Sequence, residues 1–242
     1  MRRVSGRHGS DGAVYAAPHG PSSAYARLGA LVSELIVAPR PVAESRDSWR
    51  HYEPLVLDKP LAAALSTFVD FGFHGATIRD IAHRAGLSVP GLYHYYPSKQ
   101  RMLAELFNRS MTDLLQRSRS ARAEGRVAAE RFALLIECLV LYHTYRQQLA
   151  SLGNSEMRGL EEPDHAKIVA YRNEQQRMLD EEALEARRLG MFTTPRPREA
   201  ARAIATMCTA ITQWYKADGL KTPEEIAAEY VDFALTLMKF DS

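Results

Sequence analysis

Cysteine is nearly absent from this chain: Cys138 and Cys208 are the two in 242 residues. They lie too far apart for a Cys-x-x-Cys redox pair or a zinc knuckle. Both sit in apolar helical runs, which suits small buried thiols in a reducing cytosol. Long hydrophobic runs are missing too. The longest apolar stretch, Phe132 to Tyr142, carries Glu137 and falls short of a membrane span. Arg2, Arg3 and Arg7 are not followed by a continuous apolar segment, so no secretory signal is expected and the chain is expected to be cytoplasmic. Charge of one sign is lacking as well. The formal net charge is +2, so any contact with a polyanion must be local. Catalytic motifs are absent: no Gly-x-Ser-x-Gly, no P-loop, no Gly-x-Gly-x-x-Gly after a strand, no His-Glu-x-x-His. Glu162-Pro163-Asp164-His165 has the Glu-x-x-His spacing of di-iron bundles, but those sites need two such motifs. Neither enzyme activity nor a cofactor or metal is expected.

With 46% hydrophobic and 25% charged residues, the chain has the composition of an ordinary globular protein. Residues 1–23 are rich in Gly, Ser, Ala, Pro and Arg and read as disordered. Ala24 to Val37 has the spacing of a short amphipathic helix. From Leu55 onward the periodicity is helical and no strand-like alternation occurs. Leu61, Leu65, Phe68, Val69 and Phe71 mark a first helix, with Pro60 in its first turn and Gly72 at its end. Later helices are expected over Gln100–Arg117, Val127–Leu149, Ala166–Leu189, Arg198–Tyr215 and Pro223–Phe240, punctuated by Gly125, Gly153, Gly190 and Gly219. Leu134, Leu135, Cys138, Leu139 and Tyr142 crowd one of these so heavily that it should be buried on most sides.

The informative segment is Thr77 to Lys99. Thr77 with Asp80 three residues on is a capping-box pattern. Ile78, Ile81, Ala82 and Ala85 form the inner face of a short helix, Gly86 breaks it, and Ser88 is an N-cap for a second helix anchored by Leu92 and Tyr96. Ala82 lies four residues before Gly86, where two crossing helices leave room for a small side chain only. Two short helices joined by a glycine turn make a helix-turn-helix.

The stretch from Ala63 to Lys99 resembles the TetR family of repressors, through Phe71-Gly72-Phe73, Ala76-Thr77, Ile78-Arg79-Asp80-Ile81-Ala82, Ala85-Gly86-Leu87-Ser88, Leu92-Tyr93-His94-Tyr95-Tyr96 and Pro97-Ser98-Lys99. That resemblance implies an all-α protein. It would comprise an extension (1–52, disordered or partly helical), a three-helix DNA-binding domain (53–103) and a larger ligand-binding and dimerisation domain (104–242). Ser88 to Tyr95 would enter the major groove, with Val89, Pro90 and Gly91 against base edges. Tyr93, His94 and Tyr95 would reach the DNA, mostly its phosphates. Thr77 and Lys99 would each hold a phosphate, and Arg79 and Arg84 would add contacts. Val89-Pro90-Gly91 departs from the Lys, Gly or Ala sequence frequent in the family, which leaves the operator sequence open.

The remaining expectations concern the C-terminal part. Leu135, Leu139, Tyr142, His143, Met178, Phe192, Met207 and Trp214 are candidates to line an effector pocket. Arg146, Arg172 and Arg177 would meet an anionic group, or else be solvated or salt-bridged. Gly190-Met191-Phe192, Pro197-Arg198 and Gln213-Trp214-Tyr215 resemble TetR-type regulators of lipid, acyl-CoA or steroid catabolism. The effector would then be apolar, of acyl-CoA, fatty-acid or steroid type. Ile204, Ile211 and Tyr215, with Ile226, Tyr230, Phe233 and Leu237, form two stripes suited to a homodimer, or to an intramolecular core. The function expected is a ligand-released repressor on a pseudo-palindromic operator; the alternatives are an activator of the same fold and a helical interaction module without DNA binding.

Overall fold

The computed structural model describes residues 48–240. The helix expected over Ala24–Val37 lies outside them. Nine α-helices occur among the described residues: α1 (Lys59–Gly75), α2 (Ile78–Ala85), α3 (Val89–Tyr95), α4 (Lys99–Glu124), α5 (Ala128–Tyr145), α6 (Gln147–Ser155), α7 (Asp164–Arg188), α8 (Pro197–Trp214) and α9 (Pro223–Leu237). Beyond one isolated bridge between Phe192 and Phe240, no β pairing is found among them.

Local chemistry accounts for the boundaries. Asp58, Thr77, Ser88, Ser98 and Thr222 each cap a helix by accepting a backbone N–H in its first turn. Gly72 sits at φ 71°, ψ 163°, a conformation open to glycine, and lets α1 turn so that Phe73 folds back into the core. Gly86 takes the left-handed position after α2, and the Leu87 N–H reaches the Ala82 carbonyl at 2.9 Å to close the turn.

α5 is the centre. Fifteen of its 18 residues are buried, and it packs against α4, α6, α7, α8 and α9. Two expected helices differ from those found. The span 127–149 is two helices, because Arg146 leaves helical geometry at φ −111°, ψ 30°. The helix expected to end at Arg117 runs on to Glu124, because its polar last turns are held by α7: Arg119 pairs with Glu174 at 2.5 Å, and Arg122 with Glu182 at 2.6 Å. Gly153 lies within α6 rather than ending a helix.

Of the expected extension, residues 1–52, the stretch 48–52 is described. Residues 48–52 are laid across the C-terminal helices. The Trp49 ring is buried and its Nε1 donates to Glu124 at 2.7 Å. Arg50 bonds both Glu137 and Glu124, Arg117 donates to the Trp49 and His51 carbonyls, and Tyr52 stacks on Tyr145 at 4.7 Å. Composition disguised this segment, since its anchors are charged and aromatic groups without helical spacing.

Glu182 ties three helices together. Its side chain is 2% exposed and accepts from Arg122 of α4 at 2.6 Å and from Arg131 of α5 at 2.7 Å. Removing the carboxylate leaves two guanidiniums facing a buried gap. Glu182→Ala is expected to lower stability by about 3 kcal/mol, near the low end for breaking a buried pair because both arginines reach solvent. Urea unfolding reads this as a lower midpoint at an unchanged slope.

Candidate nucleic-acid interface and effector cavity

The helix-turn-helix presents one polar face. Thr77 accepts from the Asp80 N–H at 3.2 Å, while the Asp80 carboxylate accepts from the Thr77 N–H at 3.0 Å and hydroxyl at 2.5 Å. These bonds hold the Asp80 carboxyl below its ordinary range. Arg79, Ser88, Pro90, Tyr93, His94 and Tyr95 are exposed. The His94 and Tyr95 rings meet edge-on at 5.8 Å. Val89 and Gly91 are half-buried, and Gly91 bonds the Ser88 cap at 3.1 Å. Pro90 is therefore the exposed apolar group in the first turn of α3, where its missing N–H costs no bond. Tyr96 is half-buried; its hydroxyl donates to Asp58 at 2.7 Å, and burial with that carboxylate pushes it up to about 12.

Lys99 sits differently from its expected role. Its ammonium donates to the Phe73 carbonyl at 2.6 Å and the Ala76 carbonyl at 2.8 Å, and lies 4.4 Å from the centre of the Phe73 ring. It closes the C-terminal end of α1, whose carbonyls would otherwise lack donors. Arg84 pairs with Asp70 at 2.6 Å beside the Phe71 ring.

In the C-terminal part a cavity of about 250 Å³ opens between α4, α5, α6, α7 and α8. Of the expected lining residues, Leu139, Tyr142, His143 and Arg172 reach it. Leu135, Met178 and Phe192 do not: all three are packed in the core, Phe192 between Phe132 and Phe240. Met207 and Trp214 face outward. Arg146 turns to the docked segment, donating to the Glu53 carbonyl at 2.8 Å. The residues missed include Ser110, Met111 and Leu114 of α4 and Gln175, Gln176 and Leu179 of α7. With Arg172, the α7 set has one-face spacing of i, i+3, i+4, i+7. That face is mostly polar, so a search for apolar stripes passes over it.

His143 is buried, with Nδ1 2.7 Å from the Leu139 carbonyl. Desolvation pushes its pKa down to about 4, so it is neutral at pH 7. The two stripes proposed for a dimer divide. Ile204, Ile211 and Ile226 are within the protomer's own core, being on the inner sides of α8 and α9. Phe233 and Leu237 are exposed, Tyr215 and Tyr230 half-buried, and Trp214 stacks on Tyr230 at 6.5 Å.

A capped helix-turn-helix with an exposed basic and aromatic face, joined to a larger helical domain with its own cavity, defines a DNA-binding regulator of the helix-turn-helix class. The chain belongs to the TetR family: residues 61–106 match the bacterial regulatory proteins, tetR family, and residues 125–238 match the tetracyclin repressor-like C-terminal domain. It is a transcriptional regulator by family rather than an enzyme. It is similar to the HTH-type transcriptional regulator YdgC of Bacillus subtilis (strain 168), 27% identical over 72% of this chain and 88% of the relative. The HTH-type transcriptional repressor KstR2 of Rhodococcus jostii (strain RHA1) is 25% identical over 72% of this chain and 87% of its own. Among solved structures, AibR in complex with isovaleryl coenzyme A and operator DNA matches at TM-score 0.64 and 25% identity, covering 72% of this chain and 97% of that one.

Two measurements check the placements. Lys99→Met should lower the melting temperature and leave the salt dependence of DNA binding unchanged, whereas Arg79→Ala should reduce the slope of log K against log salt by about 1. The His143 shift sets a pH dependence. The unfolded chain takes up a proton near pH 6.5 and the folded one near 4, so stability falls as pH drops through that window, by about 3 kcal/mol in all. In His143→Gln the decline between pH 6.5 and 4 should be shallower by that amount in urea titrations.

Proposed function

We propose that the chain represses transcription as a homodimer on a pseudo-palindromic operator and is released by a small-molecule effector held in the α4–α8 cavity. The observation that carries this reading is the connection of the two sites through one helix. α4 begins at Lys99, capped by Ser98 where the reading unit ends, and Ser110, Met111 and Leu114 of the same helix line the cavity.

On the operator, α3 lies in the major groove. Pro90 offers an apolar contact suited to a thymine methyl, while Thr77, Arg79, Tyr93, His94 and Tyr95 meet the backbone. The exposed Trp214, Phe233 and Leu237, with Tyr215 and Tyr230 beside them, supply an apolar face for the two-fold partner. Pairing there sets two reading helices about 34 Å apart, one DNA turn. KstR2 is named a repressor, which favours repression here.

The effector is limited by the cavity. A 150 Å³ apolar cavity holds benzene, so 250 Å³ holds about ten non-hydrogen atoms. A fatty-acid or acyl group fits, whereas the bulk of a coenzyme A thioester, the kind of molecule bound by AibR, would extend through the opening to solvent. The effector acts by binding better to a conformer in which the reading helices are misplaced, with a typical coupling of ~1–3 kcal/mol.

Selection of purified protein on pooled random duplexes is expected to enrich a pseudo-palindrome, with affinity falling steeply as salt rises. No enrichment at low salt would overturn the DNA-binding reading, and a motif without two-fold symmetry would overturn the dimer.

A further inference from the structure

The cavity wall has an unusual charge balance. Among the residues lining it there is no aspartate or glutamate. His143 is neutral, so Arg172 is the one ionised lining side chain. Arg172 is largely desolvated, which lowers its pKa, and it bonds the backbone carbonyl of Gly153 on α6. No carboxylate lies within ion-pair distance of it among the described residues, although arginines elsewhere on α4, α5 and α7 have one.

One helical turn further along the same face is Gln175, 7% exposed, with neither its amide nitrogen nor its amide oxygen paired. The other polar groups of the wall are engaged. The Tyr142 hydroxyl and Ser110 bond each other, Asn154 donates to the Thr209 carbonyl at 3.1 Å, and Gln176 donates to Asp180 at 2.8 Å. A carboxylate placed here would supply acceptors to the Arg172 guanidinium and to the buried Gln175 amide N–H, relieving the cost of leaving that donor unpaired. The apolar part of the lining comes from Met111, Leu114, Leu139, Leu179 and Ala205.

We propose that the cavity takes a free medium-chain carboxylic acid, its carboxylate held by the Arg172 guanidinium and the Gln175 amide N–H and its chain laid along the apolar wall. This rests on the cavity being the effector site and adds which end group it selects. An acyl chain can arrive as the free acid or as a coenzyme A thioester. At the position facing Arg172 the acid is an anion and the thioester is neutral, so the head group separates them.

The test is isothermal titration calorimetry of the full chain with octanoate, octanamide and octanoyl coenzyme A. Octanoate is chosen because it has about the ten non-hydrogen atoms the cavity holds. Octanoate should bind about tenfold or more tightly than octanamide, the difference expected for a charge-assisted hydrogen bond. Arg172→Met should bring the two within about threefold. Arg172→Lys should keep part of the preference, and Gln175→Leu should weaken octanoate. Octanamide binding as well as octanoate, octanoyl coenzyme A binding where octanoate does not, or no binding of octanoate to the wild type would each overturn the proposal. A persistent preference for octanoate in folded Arg172→Met would do so as well. Fluorescence anisotropy with the selected operator tests the underlying reading separately. Octanoate that binds through Arg172 and leaves operator affinity unchanged would sink the effector role and leave the head-group assignment standing. Release by octanoyl coenzyme A alone would do the reverse.

Discussion

The arrangement depends on one close contact between the reading unit and the body. Gly159, in the short 3₁₀ turn Met157–Gly159 after α6, is pressed so tightly on Phe73 and Leu103 that a Cβ there would lie 2.9 Å from the Phe73 ring. Phe73 is the residue that the Gly72 turn folds inward, and its carbonyl receives the Lys99 ammonium. The end of α1, the start of α4 and the end of α6 are therefore locked at a single joint. Interiors packed at this density do not deform smoothly, so a shift of α6 is passed on to the helices it touches.

That joint gives the cavity a second route to the DNA face. α4 is the first, through Ser110, Met111 and Leu114. α6 is the other, since Ala150, Gly153 and Asn154 line the cavity and the same helix leads into the turn at Gly159. Arg172 bonds the Gly153 carbonyl, so the group proposed to hold the effector's carboxylate also touches the element that abuts the reading unit. Under the proposed function, a ligand that draws Arg172 from Gly153 would change the setting of α6. Both routes start at the cavity and end within the first turn of α4 or the last turn of α1.

How much of this was legible in the sequence follows from the kind of signal each part carries. The helix-turn-helix could be read in detail because its determinants are local: the Thr77–Asp80 capping box, the left-handed Gly86, the Ser88 cap and the small Ala82 act within a few residues of one another. The helical class and most helix positions were legible from apolar periodicity. The break at Arg146 was not, since it depends on tertiary packing and no Gly or Pro marks it. The cavity was half legible: Leu139, Tyr142 and His143 lie on the heavily apolar α5, while the α7 face with Gln175 and Gln176 looks like a solvated surface. Apolar stripes also cannot say which side of a helix faces the protomer and which a partner, and so Ile204, Ile211 and Ile226 were grouped with the exposed Phe233 and Leu237. The docking of Trp49, Arg50 and Tyr52 rests on pairings 66 or more residues away in the chain, beyond any local pattern.

The central claim is that filling the cavity displaces the reading helices. The most direct measurement is the operator affinity of Ala205→Phe, which sets a ring in the cavity wall on α8, at a position remote from the DNA face. With folding and dimerisation confirmed by circular dichroism and sedimentation, the account predicts operator binding weakened by about 5- to 150-fold, the usual range of allosteric coupling. Wild-type affinity in a folded dimer of that variant would contradict it.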